Sequence, residues 1–357
     1  MATSTKELLK QLHKDHGAAI ATVGSKGYAD VPRIPTGIFA VDLAMGGGFP
    51  QGKCAIIYGP ESSLKTVLAL KAAAQAQRMY PDKKVVFVDA EHALDVKWAM
   101  TLGVDPDSLI VVHPESAEQA VDVLESFYYA EDVSLIILDS IAALTTSKEI
   151  ENDASVQAVG GASLLVGKLF RKVVVAAQKM NNQGLTPPTF ISINQIRSKI
   201  GVQYGNPETM PGGFPPKFAS SMTLRVYGKN IIDKKISTAM PSYKEVSCII
   251  QKWKCPILAV NAVYQMQMIE GLGQKPGYIA DWNTVSKFAK QLDYLSKGEK
   301  AGWVMLGKPY KTLDECRDAL YGNPDMLAEL KATLIAELVV GGVAMEDTGE
   351  IAVDDGK

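Results

Sequence analysis

Between residues 54 and 195 the chain repeats one pattern: a short apolar run, a polar junction, a helix-length segment, then another apolar run. Cys54–Tyr58, Val85–Asp89, Leu135–Asp139 and Phe190–Asn194 have the length and composition of strands. Lys65–Met79, Ala117–Tyr129 and Leu164–Lys179 have helical length between them. Strands that alternate with helices of this size call for a mainly parallel sheet covered on both faces. The predicted class is therefore α/β.

Outside this stretch the pattern changes. Residues 219–268 contain successive strand-like runs (MTLRVYG, EVSCIIQ, LAVNAVYQMQM), which fit an antiparallel extension. After about residue 270 helical patterns return, at Trp282–Leu295 and Pro324–Leu338, and a domain boundary is expected there. At the other end Leu8, Leu9 and Leu12 share one face of a short amphipathic segment that ends near Gly17. Gly and Pro together are 48 of 357 residues (30 + 18), which excludes collagen-like and disordered classes. Nothing approaches the roughly 20 apolar residues that span a bilayer, and the polar N-terminus lacks a secretory apolar region. Cys54, Cys248, Cys255 and Cys316 lack metal spacing and read as free thiols in a reducing compartment. These features predict a soluble, cytoplasmic protein with no membrane partner.

The net charge of −2 hides an uneven distribution. Lys148 to Lys254 holds fifteen Lys/Arg and six Asp/Glu, a local +9, so the remainder carries −11. A basic middle suits an anionic partner, although a solvated basic face has the same composition. The end of the chain, MEDTGEIAVDDGK, has five acids and one lysine and reads as a disordered acidic tail over 341–357.

The most informative junction is Gly59-Pro60-Glu61-Ser62-Ser63-Leu64-Lys65-Thr66, between a strand and a helix. A glycine-initiated turn that ends in Lys-Thr at a helix N-terminus is the layout of a phosphate-binding loop. Backbone N–H groups and the helix dipole suit phosphate oxygens; Lys65 would neutralise the β- and γ-phosphates, and the Thr66 hydroxyl would ligate Mg²⁺. The motif wants glycine before the lysine, and Leu64 departs from it.

Three other strand ends support the assignment. Leu135–Asp139 ends in a carboxylate of the kind that holds Mg²⁺ beside a phosphate loop. Val85–Asp89 leads to Asp89 and Glu91, and Phe190–Ile193 leads to Asn194 and Gln195, polar groups able to sense a terminal phosphate. Ligands of open α/β sheets bind outside the carboxyl ends of strands, so these groups should meet in one crevice. An acid there can position or deprotonate an attacking water. Each acid taken singly could instead cap a turn.

Several segments match one family in order: Ile34-Pro-Thr-Gly, Tyr58-Gly-Pro-Glu-Ser-Ser, Asp89-Ala-Glu-His-Ala-Leu-Asp95, Asp139-Ser-Ile-Ala-Ala-Leu, Lys148-Glu-Ile-Glu, Ile193-Asn-Gln-Ile-Arg197, Lys199-Ile-Gly, Gly205-Asn-Pro-Glu-Thr209 and Gly212-Gly213. On these the chain resembles the RecA family of homologous-recombination proteins over about residues 5–340. The resemblance implies a RecA-like phosphate-loop ATPase core at 36–269, an N-terminal oligomerisation arm at 1–35 and a small C-terminal lobe at 270–340. It also implies ATP-dependent filament formation on single-stranded DNA, with pairing and strand exchange against homologous duplex DNA in recombination and repair. ATP and Mg²⁺ are the implied cofactors. Bulky Leu64 is similar to phage-type recombinases, so a phage-encoded chain in the host cytoplasm or at the nucleoid is expected.

Position by position, the resemblance implies that Gly59 to Thr66 bind the triphosphate and that Thr66 and Asp139 hold the metal. Glu91 matches the catalytic carboxylate. Asp95 and Trp98 match the adenine contacts, with Trp where the family has Tyr. Gln195 matches the link from the γ-phosphate to the following DNA loop. Lys252 and Lys254 match a lysine pair that reaches the nucleotide of the neighbouring filament subunit; read alone, they alternate with Trp253 on a strand and share one face. The DNA loops would be about Glu149–Gly161 and Arg197–Gly213, the second presenting Arg197, Lys199 and Tyr204 among glycines that include Gly212 and Gly213. Arg171 matches a DNA-contacting arginine, and Leu164 stands where the family has another. Helix Glu7–His16 with Ala18–Val23 resembles the polymerisation arm, and 270–340 the lobe that receives duplex DNA. Single-strand-binding and mediator proteins are further expected partners. Two alternatives share the core: a ring-shaped helicase motor, and a non-hydrolysing single-strand-binding filament protein.

Overall fold

The structure, a computed structural model, describes residues 4–16, 31–151, 161–198, 208–213, 215–298 and 302–340. The chain divides into two compact units, Met1–Ile34 with Phe49–Glu61 and Lys65–Leu224, and Pro35–Gly48 with Ser62–Leu64 and Arg225–Lys357. A short helix, α1 (Thr5–His16), opens the chain. It begins with a capping box, in which Ser4 Oγ accepts from the Glu7 N–H and Glu7 reaches back to the Ser4 N–H.

The first unit is the alternating region. Its strands are β3 (Cys54–Gly59), β4 (Lys84–Asp89), β5 (Leu109–Val112), β6 (Val133–Asp139) and β7 (Thr189–Gln195), after a two-residue pair β1 (Arg33–Ile34) and β2 (Phe49–Pro50). They pair in parallel in the order β3-β7-β6-β4-β5. Every residue of β3 and β6 is buried, as a sheet covered on both faces requires. Helices α3 (Lys65–Met79), α4 (Val96–Thr101), α5 (Ala117–Tyr128), α6 (Ser147–Glu151), α7 (Gly161–Asn182) and α8 (Pro215–Ala219) also belong to this unit. One core cluster joins α5 and α7 to the sheet through Val121, Leu124, Tyr128, Leu169, Phe170, Ile136, Leu138 and Phe190. Phe170 meets Phe190 edge to face at 5.7 Å. Strand β5 was not anticipated from the sequence. Its four residues are only half buried, at the open edge of the sheet.

The second unit contains α2 (Phe39–Ala44), most of β10 (Met222–Ile231), and β11 (Tyr243–Trp253) paired antiparallel with β12 (Asn261–Gln267). Two short strands, β8 (Arg197–Ser198) and β9 (Glu208–Thr209), precede them in the chain. Strand β10 starts in the first unit, and the hydrogen-bonded order of the eight long strands is β12-β11-β10-β3-β7-β6-β4-β5. Beyond residue 280 come α9 (Trp282–Gln291), α10 (Leu313–Tyr321) and α11 (Pro324–Val340). The predicted helix Trp282–Leu295 is too long. It stops at Gln291, and Leu295 begins a three-stranded sheet of β13 (Leu295–Lys297), β14 (Trp303–Met305) and β15 (Lys308–Tyr310). Strands of three residues carry too little periodicity to be read from sequence. Buried Asp281 ties this region together, accepting from Lys331 Nζ at 2.5 Å and from the Tyr321 hydroxyl. Near the start of the unit Asp42 is buried and accepts from the Thr36 N–H, the Thr36 hydroxyl and the Gly37 N–H. Burial nevertheless pushes its carboxyl up to about 7.

Candidate active site at the carboxyl ends of the strands

The loop that leaves β3 at Gly59 and enters α3 at Lys65 turns through two left-handed residues that are not glycine, Ser62 (φ +57°) and Leu64 (φ +69°). The second value explains why the motif favours glycine before its lysine. A side chain in that conformation costs roughly 1–2 kcal/mol. Lys65 is buried, and its Nζ donates to the Pro60 carbonyl at 2.6 Å, so the lysine closes over its own loop. Burial holds the ammonium below its ordinary range, opposed by Asp139, Glu91 and Glu61. A buried cation whose desolvation outweighs these attractions suits an incoming polyanion.

The register of the parallel strands sets the rest of the crevice. Gly59 lies opposite Gln195 on β7, and Asp89 opposite Asp139 on β6. Thr66, at the second position of α3, donates its hydroxyl to Asp139 Oδ2 at 2.5 Å. Burial, with repulsion from Glu91 and Asp89, pushes the Asp139 carboxyl up to about 6. A hydroxyl joined to a crowded, buried carboxylate is a donor set that a hard divalent cation relieves. Among the described residues no group of three or more His, Cys, Asp or Glu forms an all-protein metal cage. Mg²⁺ suits this arrangement, because it usually takes one or two carboxylates and completes its shell with phosphates and water.

The two acids at the end of β4 have different partners. Asp89 accepts from the N–H groups of Ala93 (3.2 Å) and Leu94 (2.9 Å), so its carboxylate shapes the turn. Glu91, two residues later, is exposed. Its Oε1 accepts from Ser140 Oγ at 2.5 Å and from Gln195 Nε2 at 3.1 Å. Ser140, buried beyond the end of β6 after a cis Asp139–Ser140 peptide bond, was not singled out in the sequence. A serine at a strand end is too common to signal anything by itself. Asn194 is also more specific than expected. It is buried, and its Nδ2 donates to the Pro211 carbonyl at 2.9 Å, which pins the base of the segment containing Gly212 and Gly213. Glycine is required at 212, where φ is +88° and a Cβ would lie 2.8 Å from Val166 Cγ1.

Other predicted positions are placed as follows. Asp95 caps α4, its Oδ1 accepting from the N–H groups of Lys97 (2.8 Å) and Trp98 (3.1 Å), and Trp98 is half buried. Arg171 is exposed on α7, its Nη1 beside the Gly167 face that also meets Pro215. Lys252 and Lys254 do not alternate along one strand as expected, because β11 ends at Trp253 and Lys254 follows it. The pair stays close enough to interact: Lys252 is held below its ordinary range by burial and then by the Lys254 charge. The Arg197 backbone pairs with Thr209 in β8 and β9. Lys199, Tyr204, residues 152–160, Ala18–Val23 and the acidic tail lie outside the described residues.

A strand–loop–helix phosphate site, a strand-end aspartate under the first helical threonine, and a glutamate held at the neighbouring strand ends define a phosphate-loop ATPase of the open α/β type. A sequence profile of the RecA N-terminal domain matches residues 3–272. The chain is 36% identical over 346 residues to Protein RecA of Thermus thermophilus, covering 96% of both chains. It is 34% identical over 328 residues to that of Acholeplasma laidlawii, covering 90% of this chain and 93% of the other. Among solved structures, a RadB recombinase aligns with a TM-score of 0.46 at 21% identity, over 66% of this chain and 96% of that one. The chain belongs to the RecA family. It is a RecA-type recombinase and, like others of the family, a DNA-dependent ATPase. The family binds ATP with Mg²⁺ and forms filaments on DNA. Among the described residues no helix is long and apolar enough to cross a membrane.

Proposed function

We propose that this protein assembles as a helical filament on single-stranded DNA and uses ATP to pair that strand with homologous duplex and exchange it. The observation that carries the reading is the shared acceptor at Glu91 Oε1, where β6 and β7 each deliver one donor. Lys65 and the loop N–H groups bind the β- and γ-phosphates, and Asp95 and Trp98 receive the adenine. Thr66 and Asp139 hold Mg²⁺, which when bound neutralises charge on the β- and γ-oxygens. Glu91 orients a water in line with the γ-phosphorus and takes its proton as the new P–O bond forms. The bridging oxygen leaves with ADP, and phosphate is released.

Gln195 connects this chemistry to DNA. It contacts Glu91 at one end of a segment that continues through Arg197 toward Lys199 and Tyr204. Asn194 holds the far side of that segment at Pro211. Arg171, Arg197 and Lys199 contact phosphates, Tyr204 stacks on a base, and Gly212 and Gly213 let the loop approach the strand. Lys252 and Lys254 reach the nucleotide of the adjacent filament subunit. Residues 1–35 form the polymerisation arm, 270–340 receive duplex, and the acidic tail competes with it. The enzyme works in the cytoplasm, where DNA and its mediator proteins are found.

Glu91→Gln tests the assignment. The amide preserves shape but cannot accept the proton, so hydrolysis should fall by roughly 10²–10⁴-fold. ATP-dependent binding to single-stranded DNA, followed by fluorescence anisotropy, should persist. Hydrolysis at the parent rate would move the base elsewhere.

A further inference from the structure

Strand β11 breaks its own rule at one residue. Its inward positions are Lys244, Val246, Cys248 and Ile250, a buried series in which three side chains are apolar and the first is a lysine. Lys244 is 8% exposed and lies opposite buried Met266 on β12. Lysine is almost never buried to this degree without a partner, because its ammonium loses hydration. Here the partner is a backbone carbonyl far away in sequence. Lys244 Nζ donates to Ser62 O at 2.5 Å, across 182 residues, within the second unit. Gly228 makes room for this: a Cβ there would lie 3.1 Å from Lys244 Cε, 3.2 Å from its Cδ and 3.3 Å from Ser63 Cα.

We propose that Lys244 is a positioning residue for the phosphate loop, anchoring the Ser62 carbonyl so that the strained Ser62–Leu64 turn keeps the shape that receives a nucleoside triphosphate. The proposal rests on the reading of Gly59–Thr66 as the phosphate site. A trans peptide is planar, with its carbonyl and N–H pointing in opposite directions. Fixing Ser62 O on Lys244 therefore fixes the direction of the Ser63 N–H, one of the loop donors. The anchor matters more in this chain than in one with glycine at position 64. Leu64 is held at φ +69° and Ser62 at +57°, so two side chains in three residues oppose the turn and favour relaxation to another conformation. Lys244, in the space left by Gly228, is the counterweight to Leu64.

Lys244→Met tests this, because it keeps most of the buried stem and deletes the donor. The affinity for a fluorescent ATP analogue and the steady-state ATPase with single-stranded DNA are measured beside Lys65→Ala, with thermal unfolding of the nucleotide-free protein as the check on folding. A pre-shaped loop binds ground state and transition state alike, so KM and Kd should rise about tenfold while kcat stays within twofold. Lys244→Arg, which retains a donor, should recover part of the affinity. In a Leu64→Gly background, where the turn is no longer strained, Lys244→Met should cost less than threefold. Should Lys244→Met fail to fold, Gly228→Ala decides: with the lysine intact, its Cβ should still weaken binding several-fold. Unchanged affinity in Lys244→Met while Lys65→Ala loses it overturns the anchor and leaves the phosphate site standing. Unchanged affinity in both overturns the site as well.

Discussion

Ser140→Ala isolates one contact at the proposed catalytic carboxylate. Ser140 is fully buried, so alanine fits the space and only the hydroxyl is removed. The lost bond is a hydroxyl donating to a carboxylate oxygen at 2.5 Å, a geometry worth about 1.5–3 kcal/mol when the acceptor is charged. Glu91 is exposed, so water replaces part of what is removed, and the lower end of that range applies. At about 1.4 kcal/mol per factor of ten, kcat should fall roughly tenfold. KM for ATP should hold, because neither Ser140 nor Glu91 is assigned to ground-state phosphate binding. Steady-state hydrolysis on a saturating single strand gives both constants, and DNA binding with a non-hydrolysable analogue should match the parent. Ser140 and Gln195 share Oε1, so the double variant with Gln195→Ala should depart from additivity. A kcat within twofold of the parent, or a loss entirely in KM, would refute Ser140 as the support of Glu91.

Two further outcomes concern stability and DNA. The buried Asp42 carboxyl is raised from 3.8 to about 7, so between pH 4 and 7 the folded state holds a proton that the unfolded state has released. Its contribution is complete below pH 4 and is lost as pH rises to 7, by at most about 1.4 kcal/mol per unit. Urea unfolding of Asp42→Asn across that window should therefore show a flatter pH dependence than the parent; parallel curves would contradict the assignment. For DNA, Lys199→Ala should reduce the slope of log affinity against log salt by about 0.7, whereas Tyr204→Ala should lower affinity by roughly 1–3 kcal/mol at nearly constant slope. Both are read with a non-hydrolysable ATP analogue, and no change in either would remove Arg197–Gly213 from the DNA site.

The strands that carry the site could be read from the sequence because a fully buried parallel strand is a continuous apolar run. The polar residue that ends it then stands out. Asp139 and Gln195 were found this way. The resemblance singled out Glu91, but the residues read alone left two acids two positions apart equivalent, and only the backbone shows that Ala93 and Leu94 donate to Asp89. Ser140 and Lys244 were invisible for a different reason. Each makes its contact with a partner distant in sequence, 49 residues away for Ser140 and 182 for Lys244, and no local pattern marks such a contact. Strand β5 was missed because its half-buried edge position gives neither a clean alternation nor a long apolar run. Leu64 was recognised as a departure, but only its positive φ shows what the departure costs.

The alignment of Gly59 with Gln195 and of Asp89 with Asp139 restricts how this chain can change length. A strand advances about 3.3 Å per residue and alternates its faces. Deleting one residue inside β6 would either pull Asp139 back by that distance and turn it to the opposite face, or leave Asp139 in place and turn every strand residue before the deletion to the opposite layer. The connections that enter the strands from the other edge, at 80–83, 129–132 and 183–188, carry no such alignment. Doubling a flexible connection costs only about 0.6 kcal/mol. Insertions and deletions among relatives should therefore gather at those three entries and be absent between each entry and the residue that ends its strand. Fusion tags or reporter peptides placed inside the chain belong there too.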